Sequence, residues 1–150
     1  MKKLVFSIMM CLMVLSLNAQ YVDLGLPSGT RWSSVNESGL FNQMAAESKF
    51  GSSLPTKEQF EELLSCCQWT DGGERCKVIG PNGNCIYFPV NGMRDCNGRA
   101  DNVGYCGYFW SSTEDGSGGG WFMFCNADGT VGMYRSLYCY KLSVRLVQNY

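Results

Sequence analysis

The sequence predicts an α+β domain, light in helix and built mainly from short antiparallel strands joined by long loops. Three observations carry this. Residues 56–67 combine a capping signal with the apolar spacing of an amphipathic helix. From Cys76 onward, short β-branched and aromatic runs alternate with glycine-bearing turns. The chain has 18 glycines against 4 prolines, so its reversals rest mostly on glycine.

Taken in order, Lys2 and Lys3 precede the apolar run Leu4–Leu17, shorter than the ~20 residues of a spanning helix. This is the pattern of an export signal cleaved after Ala19. Cys11 lies inside the apolar run rather than behind a small residue at its end, so no lipid anchor is expected. Val22, Leu24 and Leu26 then alternate with Asp23 and Gly25 as a half-buried strand. Pro27-Ser28-Gly29 turns the chain, and Thr30-Arg31-Trp32 is again extended. Ser33–Ser53 is polar and irregular, with a short helical turn near Met44–Glu47. Thr56 and Gln59 form a capping-box pair, and Phe60, Leu63, Leu64 and Cys67 fall on one helical face. Trp69 and Asp71-Gly72-Gly73 end that segment. Lys77–Ile79 and Cys85–Val90 flank a turn at residues 80–84, giving a hairpin. Asp95–Gly104 is a polar loop. Tyr105–Trp110, Trp121–Cys125 and Val131–Tyr134 read as strands, and Leu142–Val147 as a closing strand.

Bulk properties narrow the function. Removing Lys2 and Lys3 takes the formal charge from −1 to −3, and the remaining basic residues are scattered singly. Nucleic acid and anionic membranes are poorly matched partners. Behind Cys11 stand Cys66, Cys67, Cys76, Cys85, Cys96, Cys106, Cys125 and Cys139, which in an exported chain read as up to four disulfides of open pairing. Histidine is absent and no CxxC occurs, so zinc spacing is missing.

Five stretches in order carry a resemblance: YVDLGLPSGTRW (21–32), LPTKEQFEELL with Cys67 and Trp69 behind it, GPNGNCIYFPVNGMR (80–94), YFWSST (108–113) and SVRLV (143–147). Together they resemble the Fibrobacter succinogenes major paralogous domain, similar to C-type-lectin-like and formylglycine-generating-enzyme-type folds. The resemblance implies loop-rich twisted antiparallel sheets with one main helix at 56–67. It also implies paired N- and C-terminal strands, Tyr21–Leu26 beside Ser143–Val147. Two departures are a short segment between Trp32 and Leu54 and a richer set of cysteines, including Cys85 where serine is usual.

Catalytic constellations are thin. Without histidine the usual Ser-His and Cys-His pairs are missing. Met133–Tyr140 resembles the active-site stretch of the formylglycine-generating enzymes, with Cys139 matching their second copper cysteine, but Tyr134 stands where the first belongs. One thiolate does not make a Cu(I) site. Glu61-Glu62 and Glu114-Asp115 are paired carboxylates, read also as a solvated helix face and ordinary turn chemistry. Asp95, Asn97 and Asp101 offer oxygen ligands for Ca²⁺ from one loop, where a plain Asp/Asn/Gly turn is the favoured reading. No organic cofactor is implied.

Aromatics beside adaptable polar residues give the binding candidates: Trp110, Ser111, Ser112, Thr113, Trp121, Tyr134, Arg135, Tyr138 and Tyr140. For the two tryptophans a core position is the favoured reading, and a binding position the alternative. The expectation is an exported, disulfide-braced, non-catalytic module binding an extracellular glycan or protein. The alternative is an assembly component of a cell-surface structure, and a truncated oxidase is the third reading.

Overall fold

The computed structural model describes residues 20–149, so the expected export signal at residues 1–19 lies outside the described residues. The chain begins with β1 (Tyr21–Asp23), β2 (Arg31–Ser33), α1 (Gln43–Phe50) and α2 (Lys57–Cys66). Then come β3 (Gln68–Asp71), β4 (Arg75–Ile79), β5 (Cys85–Pro89), β6 (Met93–Arg94) and β7 (Ala100–Asp101). It closes with β8 (Cys106–Glu114), β9 (Gly119–Asn126), β10 (Val131–Leu137) and β11 (Val147–Gln148). The strands form antiparallel sheets ordered β1-β2-β11, β3-β4-β5 and β10-β9-β8, with a β6-β7 ribbon. The chain is therefore α+β, loop-rich and mostly antiparallel.

The terminal strands share a sheet but do not pair. Gly29 N–H donates to Leu26 O at 3.0 Å, folding β2 back on β1 in the register Val22↔Trp32. The other edge of β2 takes β11, with Trp32 opposite Val147. The expected contact of Tyr21–Leu26 with Ser143–Val147 is thus corrected: the tight turn gives β1 its partner first, and β2 stands between the termini. Leu24 and Leu26 lie outside the strand yet are buried.

The main helix forms as its capping box dictates. Thr56 Oγ1 accepts from Gln59 N–H at 3.2 Å, and Gln59 Oε1 accepts from Thr56 N–H at 2.9 Å. Phe60 and Leu63 are fully buried, with the Phe60 ring 5.0 Å from that of Trp32. A second helix, α1, replaces the expected short turn. Asn42 Oδ1 caps it by accepting from Ala45 N–H at 2.8 Å, and Gly51 with a φ of 52° stops it.

Other boundaries move for similar reasons. Trp69 does not end a helix but lies in β3, opposite Val78 of β4. The polar loop at 95–104 contributes Ala100–Asp101 to the β6–β7 ribbon. The closing strand is regular only at Val147–Gln148. Before it, Lys141, Leu142 and Ser143 make single bridges to Arg94, Phe41 and Phe109. That segment is apolar because it is enclosed, with Leu142–Val147 buried throughout.

Two apolar clusters divide the interior. One packs Trp32, Phe60, Val78, Phe88, Phe109 and Met123 beneath α2. The other gathers Ala46, Leu54, Trp110, Phe122 and Leu142 beneath α1. Cys96 and Cys139 form a disulfide, whereas Cys66, Cys67, Cys76, Cys85, Cys106 and Cys125 carry free thiols.

Candidate functional site

The candidate residues converge on the β10-β9-β8 sheet, but alternation divides them between its faces. Tyr134 stands opposite Phe122, which stands opposite Trp110, so these three share one face. Arg135 stands opposite Trp121 on the other. Trp110 presents no surface to solvent. It is fully buried, its Nε1 donates to Phe41 O at 2.8 Å, and the closing segment seals its strand. Ser111 is buried too, its Oγ donating to Trp121 O at 2.7 Å. Ser112 and Thr113 tie the sheet to α2. Ser112 N–H donates to Pro55 O at 2.7 Å, and Thr113 Oγ1 accepts from Lys57 N–H at 3.0 Å.

Trp121 is half-buried under two cations. Lys57 Nζ lies 4.4 Å from its ring centre and the Arg135 guanidinium 5.4 Å. Lys57 also pairs with Glu61 at 2.7 Å. Tyr134 is about half exposed, at 53 %, and rests on Phe122 and Phe124 with ring centres 6.1 and 6.0 Å away. Sequence reasoning missed this aromatic floor. The Phe122-Met123-Phe124 alternation in β9, in register with Tyr134, was the signal that could have found it.

Three shallow depressions border β10 and the turn behind it. One of about 390 Å³ is walled by Tyr108, Phe122, Phe124, Tyr134 and Arg135. A second of about 330 Å³ is lined by Asp115, Arg135, Ser136, Leu137 and Tyr140. Arg135 borders both, joining an aromatic floor to a polar hollow. A third of about 510 Å³ holds Glu47, Glu114 and Tyr138 with Met44 and Ser48.

Electrostatics separate these hollows. Hydrogen bonds from the Ser117 backbone first, and from Gly119, hold Asp115 below the usual carboxylate range; Arg135 adds to this. Desolvation, then Glu114, pushes Glu47 up. The Tyr138 phenol is raised by desolvation and then by Glu114, Asp115 and Glu47, so it stays protonated at neutral pH. The surface therefore offers donors at Arg135 and Tyr138 beside acceptors at Asp115 and Glu114.

The remaining candidates have structural partners. Asp95 Oδ1 accepts from the N–H groups of Asn97 and Arg99, both at 2.9 Å, forming an Asx turn. Asn97 is exposed on that turn, and Asp101 pairs with Met93 across the ribbon. Among the described residues no group of three Cys, Asp or Glu side chains is placed to hold a metal ion. Glu62 accepts from both the N–H and the Oγ of Ser28, at 3.1 and 2.6 Å, which engages its carboxylate with the turn before β2. Cys139 is joined to Cys96 rather than free. No family model, no curated protein and no solved structure matches this chain.

Proposed function

We propose that this chain is an exported, non-catalytic binding module of the C-type-lectin-like kind, akin to the Fibrobacter succinogenes major paralogous domain. Its ligand is an extracellular glycan or protein. The observation that carries this is Tyr134, half exposed on an aromatic floor, next to an Arg135 that borders two hollows. An aromatic plate with an exposed guanidinium next to it on the same edge strand, and acceptors in the adjoining hollow, suits a pyranose face with its hydroxyls, or a protein loop of similar polarity. The test is a binding screen against soluble plant and bacterial polysaccharides and extracellular proteins, read by calorimetry. Tyr134→Ala and Arg135→Ala are each expected to weaken a hit at least tenfold. Hits that survive both substitutions would remove this surface from consideration.

A second reading, assembly into a surface structure, is favoured by β10. It is an edge strand paired only with β9 among the described residues, and Leu137 on it is 57 % exposed. An open edge of this length invites pairing with another strand. Light scattering across a concentration series separates the readings: a monomer at high concentration opposes assembly.

A further inference from the structure

Cys76 and Cys125 reach the same core cluster from different sheets. Cys76 faces inward from β4 and Cys125 from β9, and both are fully buried. Cys76 Sγ lies 3.2 Å from the carbonyl oxygen of Asn126, the residue that follows Cys125. The neighbouring thiol of Cys76 is also the first influence on Cys125, ahead of burial. Close approach at this corner is general, because a Cβ on Gly107 would meet Pro89 O at 2.8 Å and Cys125 Sγ at 3.0 Å. Cys106 is nearby but differently placed. It stands opposite Asn126, one residue out of phase with Cys125, and belongs to the other core cluster.

We propose that Cys76 and Cys125 close a second disulfide, a covalent staple between the β3-β4-β5 sheet and the β10-β9-β8 sheet. The oxidant is a low-molecular-weight or enzyme-borne disulfide. A Cys76–Cys125 sulfur bond forms, the oxidant's S–S bond breaks, and its two sulfurs leave as thiols carrying the two protons and two electrons. Closure belongs to folding, before both sulfurs are enclosed. In the finished fold, proximity to Cys76 and burial push the Cys125 thiol far up, which removes the attacking thiolate.

The test starts from the full chain, reduced and unfolded, then refolded in mixed reduced and oxidised glutathione. Remaining thiols are alkylated in denaturant, and protease fragments are mapped with and without reduction. The expected result is a reducible fragment joining Cys76 to Cys125 beside the one joining Cys96 to Cys139. Alkylation of both Cys76 and Cys125 while Cys96–Cys139 is closed would overturn the proposal, as would a link from either to Cys106. Mapping the protein recovered from an exporting bacterial host reads the same outcomes without refolding. In that material, Cys76→Ser is expected to make Cys125 newly alkylatable; unchanged labelling of Cys125 counts against the staple.

Discussion

The Arg145 guanidinium lies 4.3 Å from the ring centre of Phe88, enclosed in the core, and its nitrogens donate only to uncharged oxygens. Nε donates to Asn36 Oδ1 at 2.8 Å, one terminal nitrogen to Ser33 O at 2.8 Å and the other to Tyr87 O at 2.6 Å. One planar fork thus holds β2, the segment behind it, β5 and the closing segment together. Arg145→Met leaves these acceptors unpaired and is expected to cost more than ~3 kcal/mol in urea unfolding. Arg145→Lys should also cost over ~1 kcal/mol, because an ammonium cannot span the three acceptors. A lysine variant as stable as wild type would show that charge, not the fork, is what matters.

The Cys96–Cys139 bond closes a sequence separation of 43 residues, anchoring the turn after β10 to the β6–β7 ribbon. Its removal in Cys96→Ser/Cys139→Ser should lower stability by ~2–4 kcal/mol. Thermal unfolding without reductant measures this, and reducing agent should move the double variant less than wild type.

At the start of α2 the two capping-box bonds are reciprocal. Thr56→Ala should cost ~1 kcal/mol, and Gln59→Ala less. In a double-mutant cycle the two losses should add to more than the double variant shows, because either substitution already breaks the box.

Gly80 touches the N-terminal segment so closely that a Cβ there would lie 2.1 Å from Leu24 O. Gly80→Ala should cost ~2–3 kcal/mol, since backbone must move to admit the methyl. Gly83→Ala in the same turn meets nothing in space but carries a φ of 88°, so its cost is conformational and should be nearer ~1 kcal/mol. Denaturant midpoints of the two variants separate a steric cause from a backbone one.

Burial, then Cys66 and Glu62, push the Cys67 thiol up to about 11 from 9.0. At pH 8 it should react with iodoacetamide about tenfold more slowly than an unperturbed thiol, because the loss of thiolate is partly offset by its greater nucleophilicity, with the rate climbing through pH 11. The linkage has a definite sign. The folded chain holds this proton where the unfolded chain releases it, so stability is full below pH 9 and falls as pH rises from 9 towards 11. Comparing urea midpoints of wild type and Cys67→Ser across that window isolates the effect.

Local signals in the sequence were legible where local physics decides the outcome. Thr56 and Gln59 specify a cap without tertiary help, and the 80–84 turn places Val78 opposite Ile86. Elements shaped by their surroundings were not. Trp69 follows a helix and precedes a glycine turn, and only its pairing with Val78 makes β3 a strand. Trp110 reads as core or as ligand surface with core favoured, and the closing segment that covers it makes it core. Arg145 lies in a stretch legible only as a closing strand, and its burial together with Val144 and Leu146 on either side depends on the elements packed around it. At the candidate site, Tyr134 and Arg135 were identified, but not the Phe122 and Phe124 floor or the Lys57 that covers Trp121.

The segment from Lys141 to Val147 has a kinetic consequence. Its residues bridge Arg94, Phe41 and Phe109, accept from Ser33 and Glu37, and carry an arginine that reaches back 112 residues to Ser33. Among the described residues, it is this segment that meets those partners. A nascent chain is therefore expected to lack these sealing contacts until this stretch emerges. Folding is then governed by a long search for distant partners rather than by helix or hairpin formation. During synthesis, the unsealed interval is when the chain is most exposed to proteolysis and to capture by chaperones.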